Sequence, residues 1–314
     1  MSAAGRESLP MLSGGPFLTD GGIETFLIHH RGLELPEFAA FPLLEDEAGR
    51  SELADYYRPF LDLAQRYGAG FILESPTWRA NPRWGAAVGY DEARVVRANE
   101  EAIALLERIR AAAPADGPPV LISGCIGPHD DGYAPGTTLD AEGARAHHSA
   151  QVQALAATAA DLVTAMTMTY AEEAIGVARA AAAAGIPAVI SFTVETDGRL
   201  PSGQALADAI EQVDADSGSD VAYFMVNCAH PTHFDPVLSG DGDWLERIRG
   251  LRANASRLSH AELDEAPDLD EGDPEDLGAR YAALCERLPN INVLGGCCGT
   301  DHRHVGSIAA AVYG

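Results

Sequence analysis

Eight apolar runs of strand length, separated by segments of helical length, limit this 314-residue chain to very few folds. The runs are Phe17–Thr19, Phe71–Glu74, Val120–Ser123, Leu162–Met166, Ala188–Phe192, Ala222–Val226, Gly250–Ala253 and Ile291–Leu294. Helical spacing of apolar residues marks Ser51–Tyr67 and Asp91–Ala113. Ala141–Ala160 and Ala171–Ala184 are rich in strong helix formers, the latter closed by Gly185 and Pro187, and Ser202–Ala215 and Leu277–Leu288 keep the same rhythm. Parallel strands need crossover helices, so eight such units predict a single α/β domain, a (β/α)8 TIM barrel over residues 17–314. Residues 1–16, small, polar and punctuated by Gly and Pro, are expected to form a mobile lead-in.

Composition narrows the partners. The net charge is −26 and every one of the 21 basic residues is arginine, which disfavours nucleic acid and anionic membranes. Such a surface suits a salty, well-solvated cytosol, and compositional bias of the genome explains it equally well. Five cysteines, an odd number, and an N-terminus without signal-peptide order point to a reducing cytoplasm with free thiols. No apolar run reaches the roughly 18 residues that span a bilayer.

The functional punctuation falls at one end of the predicted strands, where a barrel gathers its active-site residues. The first strand runs into Asp20-Gly21-Gly22-Ile23-Glu24, the second into Glu74-Ser75-Pro76-Thr77-Trp78, the sixth into Asn227-Cys228, the seventh into Asn254, and the eighth into Gly295-Gly296-Cys297-Cys298-Gly299-Thr300. Adjacent Cys297 and Cys298 are too close in sequence for an unstrained disulfide with each other, but two thiolates side by side suit a soft metal. Cys228 offers a third sulfur. Three thiolates with one open position describe a catalytic zinc site at the carboxyl face of the barrel rather than a closed structural one. The competing reading is buried structural cysteine, and it is the preferred one for Cys125 and Cys285.

The GGCCGT stretch, the upstream Asn-Cys and the opening Asp-Gly-Gly resemble the zinc-dependent homocysteine S-methyltransferase family. That family includes the betaine and S-methylmethionine enzymes and the homocysteine-binding domain of methionine synthase. The resemblance implies Zn2+ held by Cys228, Cys297 and Cys298, which are thus the catalytic residues, with the thiol substrate as fourth ligand. It implies that Asp20, followed by Gly21 and Gly22, holds the substrate's amino-acid end. Thr77 and Thr167 match motif threonines, and Asn227 and Asn254 stand beside the metal motifs as further candidate contacts. The family's fourth strand ends in a Glu that meets the substrate ammonium; here Met166 stands in its place. A thioether cannot pair with an ammonium, so Glu24 or Glu74 must compensate, or the acceptor is another thiol.

The expected reaction moves a methyl group from an onium donor (S-methylmethionine, S-adenosylmethionine or betaine) to homocysteine, giving methionine. A methyltransferase or demethylase for a different thiol or onium compound, with or without a separate corrinoid protein, and a silent zinc-binding barrel are the alternatives. The partners are therefore a small thiol and a methyl donor; self-association is left open. Trp78, Trp84, Tyr90 and Phe26 are candidates for an aromatic wall around an onium cation. His230, His233, His302 and His304 are expected to face solvent or the donor pocket, since three sulfurs and a substrate already complete a tetrahedron. Residues 262–276, dense in Asp and Glu, read as a solvated excursion without chemistry.

Overall fold

The computed structural model describes residues 9–133, 136–217 and 221–314. Eight parallel strands close into a barrel in sequential order: β1 (Phe17–Leu18), β2 (Gly70–Glu74), β3 (Val120–Ile126), β4 (Leu162–Met168), β5 (Ala188–Phe192), β6 (Phe224–Asn227), β7 (Ile248–Ala253) and β8 (Val293–Gly296). β1 pairs with both β2 and β8, which seals the sheet. Every predicted run falls on a strand. The eighth run was expected to end at Leu294, but pairing continues through Arg252↔Gly295 and Ala253↔Gly296. Glycine reads as a turn in sequence; here two glycines extend the ladder.

Among the described residues the helices are α1 (Ile23–Arg31), α2 (Glu47–Tyr67), α3 (Pro82–Ala87), α4 (Glu92–Ala111), α5 (Ala141–Ala156), α6 (Ala171–Ala184), α7 (Leu206–Asp216), α8 (Pro231–Leu238), α9 (His260–Glu265), α10 (Pro274–Arg287) and α11 (His302–Tyr313). Asp46, Asp91 and Asp140 cap α2, α4 and α5 by accepting from backbone N–H groups of the first turn. α6 stops at Gly185, whose φ of 77° provides the left-handed turn that the helix end requires. No helix among the described residues is long and apolar enough to cross a membrane.

Inward-facing residues alternate along each strand and sort by depth. Phe17, Ile72, Leu162, Val189, Tyr223, Met225 and Val293 form an apolar floor. One step higher come polar groups: Glu74, Ser123, Thr164, Ser191, Asn227 and Arg252, all buried. Ser123 Oγ and Thr164 Oγ1 lie 2.7 Å apart, and Ser191 Oγ donates to Asn227 Oδ1 at 2.6 Å. The floor also corrects the lead-in. Residues 10–13 form a 3-10 turn, and buried Leu9 and Met11 join the floor cluster, where Asn292 donates to the carbonyls of Met11 and Gly15. Apolar burial therefore holds residues 9–15 in place, while residues 1–8 of the expected mobile segment lie outside the described residues.

Candidate active site

A cavity of about 420 Å³ opens at the carboxyl ends of the strands. Its wall carries Asp20, Gly21, Gly22, Glu24, Glu74, Met166, Thr167, Cys228, Cys297 and Cys298, residues from five different strand ends or the loops that follow them. A second cleft, about 560 Å³ and lined largely by α2 and α4, contains none of the expected site residues. The mouth, not the larger cleft, holds the chemistry-bearing groups.

The three motif sulfurs, one at the end of β6 and two after β8, all lie within 4.8 Å of one another. Sulfur is the soft donor that zinc prefers, and once the Cys228 and Cys297 sulfurs are unbonded the three stand close enough to share one ion. The expectation that all three are free thiols needs correcting. Cys228 and Cys297 form a disulfide, with Cα atoms 5.4 Å apart, while Cys298, Cys125 and Cys285 are free. The physical reason is proximity: the fold gathers the three sulfurs closely enough that two of them can bond to each other. Burial pushes the Cys298 thiol up to about 11, with Tyr133 pulling it back, so in these surroundings it holds its proton at neutral pH.

Backbone strain positions the sulfurs. Cys228 and Thr167 are non-glycine residues with φ of 53° and 64°, conformations that cost of order 1–3 kcal/mol each. Asn227 fastens both segments: its Oδ1 accepts from Thr167 N (3.0 Å) and its Nδ2 donates to Thr167 Oγ1 (2.8 Å). Thr167 Oγ1 in turn reaches Cys228 Sγ at 3.9 Å. Asn254 Nδ2 donates to Cys228 O at 3.0 Å. Asn227 and Asn254 are thus brought to the sulfurs but sit behind the cavity wall. Thr77 is not brought there. It is fully buried and donates to Cys125 O (2.7 Å), tying the end of β2 to β3.

Asp20 is buried against Arg252, at 2.7 Å, and accepts from Tyr56 Oη at 3.0 Å. Burial raises its carboxyl, and Arg252 and then Tyr56 oppose the rise. Gly21 and Gly22, which follow Asp20, admit a close approach of the chain itself. A Cβ on Gly21 would stand 2.6 Å from Thr300 O, and one on Gly22 2.5 Å from Cys297 O. The two glycines let the loop after β1 close on the cysteine loop. Glu74 and Glu24 are both pushed up to about 7, chiefly by burial. Glu74 Oε2 is buried with no hydrogen-bond partner.

Several functional neighbours escaped the sequence. Tyr133 donates to Cys298 Sγ at 3.2 Å and stacks on His260 at 4.1 Å. His260 bridges Cys228 O (2.7 Å) and Glu195 Oε1 (3.0 Å). Only the inward phase of β7 could have flagged Arg252, and nothing local flags Tyr133 or His260. The acidic segment also needs correcting. Leu263, Asp264, Ala266, Asp268, Leu269 and Asp270 form one side of the mouth, and Ser256 and His304 hold that segment down through Asp270 Oδ2 and Glu271 O.

The aromatic wall is smaller than expected. Trp78 and Trp84 line the mouth, but Tyr90 packs edge-on against Phe41 and Phe26 packs against Tyr56. Nor do the histidines all face solvent. His230 caps α8, His233 Nε2 meets Arg257 O, and His304 caps α11; these three are buried, and only His302 of the four is exposed.

A parallel barrel with three cysteine sulfurs converging at its carboxyl face has the layout of a barrel enzyme with a sulfur-rich site. The family model for homocysteine S-methyltransferase matches residues 17–312, and the chain belongs to that family, whose members are methyltransferases. Among solved structures, it is similar to the Escherichia coli homocysteine methyltransferase MmuM in its metallated form (TM-score 0.72, 20% identity, covering 94% of this chain and 96% of that one). It is likewise similar to the oxidized form (0.71, 22%, 98% and 99%) and the apo form (0.66, 20%, 95% and 96%). At such identities the likeness speaks for the fold. Comparison with curated protein sequences returns no match.

Proposed function

We propose that this methyltransferase transfers a methyl group from an onium donor to the thiol of homocysteine, giving methionine, and that it does so with zinc bound by Cys228, Cys297 and Cys298. The observation that carries this reading is the convergence of three sulfurs at the mouth of the barrel. Bound there, zinc would supply a Lewis acid that keeps an acceptor sulfur deprotonated near neutral pH, where a free thiol with pKa about 8.5 is only a few per cent thiolate. The MmuM neighbours, described in metallated, oxidized and apo forms, support a site that can take a metal.

The chain's own residues supply the rest. Tyr133 holds Cys298 by a hydrogen bond, and Asn227, Thr167 and Asn254 fix the Cys228 turn. Glu74 takes over from Met166 as the partner of the substrate ammonium, with Glu24 beside it, because both carboxyls line the cavity and Glu74 Oε2 is unpartnered. An arriving ammonium would lower the Glu74 pKa and release its proton. Asp20, already engaged by Arg252 and Tyr56, braces the β1 loop and adds negative charge.

Among the described residues, eight acids line the mouth (Asp20, Glu24, Glu37, Glu74, Asp131, Asp264, Asp268 and Asp270) against Arg79 and Arg252, a balance that favours a cationic donor. In the transfer, the acceptor sulfur attacks the donor methyl in line. The new S–CH3 bond forms as the onium–CH3 bond breaks, and the donor leaves with one less positive charge.

The test is to reduce the protein, load it with zinc, and assay methionine formation from homocysteine with S-methylmethionine, S-adenosylmethionine and betaine in turn. One equivalent of zinc and turnover with at least one donor are expected. Full activity after removal of all transition metal would refute the zinc assignment, and no methionine from any donor would refute the acceptor.

A further inference from the structure

Resting on the thiol methyl-transfer reading, we propose that Arg79 is a specificity-determining residue that binds the carboxylate of an amino-acid substrate, assisted by Trp84. Arg79 lies just beyond β2 on the cavity wall and is 7% exposed. Its guanidinium carbon sits 4.4 Å from the ring centroid of Trp78 and 3.5 Å from that of Trp84. These contacts hold the group against two rings of the wall, so Trp78 and Trp84 already carry a cation.

Arg79 Nη2 donates to Asp131 Oδ2 in a 3.2 Å ion pair, but Nε and Nη1 are buried with no acceptor, and so is Trp84 Nε1. Three orphaned donors lie on one wall of an otherwise acidic cavity. Leaving such donors unmatched costs about 1–3 kcal/mol each, a cost that an arriving oxyanion would remove. Arg252, the other arginine of the wall, is differently placed: its Nε donates to Gly296 O, and its Nη2 donates to Asp20 Oδ1 and Gly21 O.

The planar guanidinium matches a carboxylate in a way that an ammonium would not. Glu24 lines the same cavity as Arg79. Cation and anion thus stand together on the wall, which suits the two charged ends of an amino acid. Both homocysteine and an amino-acid sulfonium donor carry that carboxylate, and the experiment separates them.

Reduced, zinc-loaded protein would be titrated calorimetrically with homocysteine and with 3-mercaptopropylamine, the same thiol and amine without the carboxylate. Transfer would also be assayed with S-methylmethionine and with its carboxylate-free analogue, (3-aminopropyl)dimethylsulfonium. In the wild type, one carboxylate-bearing ligand should be preferred roughly 10- to 100-fold over its analogue. In Arg79→Met, which keeps bulk between the indoles, that preference should collapse while the analogue's constants stay put; Arg79→Lys should fall between. Collapse in the calorimetry assigns the thiol acceptor, and collapse in the donor KM assigns the donor. Equal weakening of both members of each pair, or an intact preference in Arg79→Met, would overturn the assignment while leaving methyl transfer standing. A wild type that binds neither thiol and turns over neither donor would sink both readings.

Discussion

Glu74→Gln separates what Glu74 does for the fold from the substrate role proposed for it. The carboxyl is buried in the polar layer of the barrel, 5% exposed, and pushed from 4.5 up to about 7. Because the folded state holds the proton more tightly than the unfolded chain, this group's contribution is fully present below about pH 4.5. It is lost as pH rises through about 7. At about 1.4 kcal/mol per pH unit, ionising Glu74 above pH 8 withdraws about 3 kcal/mol, an upper bound because water and relaxation soften buried charge. Gln copies the protonated form and escapes that loss. The variant should match the wild type at pH 4.5 and exceed it by up to about 3 kcal/mol at pH 8.5, read from urea midpoints of reduced, metal-free protein. Homocysteine affinity should fall at the same time, while 4-mercaptobutanoate, which lacks the amine, should bind as before. Equal midpoints at pH 8.5, or an advantage undiminished at pH 4.5, would refute the reasoning.

Other consequences can be checked independently. Cys297→Ser and Cys298→Ser should each lower zinc occupancy below one equivalent after dialysis, measured by elemental analysis, and reduce methyl transfer by at least about 100-fold. Wild-type protein purified without reductant should take up little zinc until the Cys228–Cys297 disulfide is reduced, with thiol titration rising by two groups in step. Asp20→Ala should cost about 3–5 kcal/mol of stability, since it strands the buried Arg252 guanidinium; thermal melting is the measurement. Homocysteine affinity should rise between pH 6 and 8 as Glu74 and Glu24 ionise through about 7, and this rise should shrink in Glu74→Gln.

Much of this protein was legible in its sequence because the relevant signals are local. Strand-length apolar runs separated by helical segments require a parallel sheet with crossovers, and a closed barrel of eight is the solution found. Strand ends collect function, so the Cys-Cys pair, Cys228 and Asp20 could be placed at one mouth before any contact was known. Where β8 ends was misread because Gly295 and Gly296 carry no side chain to announce a strand.

Only the tertiary structure decided how those residues are partnered. It joined Asp20 to Arg252 across 232 positions and Tyr133 to Cys298 across 165, pairings that no local pattern encodes. It bonded Cys228 to Cys297, folded the acidic segment over the mouth, and set Arg79 against two indoles with donors unmatched. Sequence spacing fixes which face of an element a side chain occupies. Burial, charge balance and hydrogen-bond satisfaction depend on neighbours that only the closed barrel brings together.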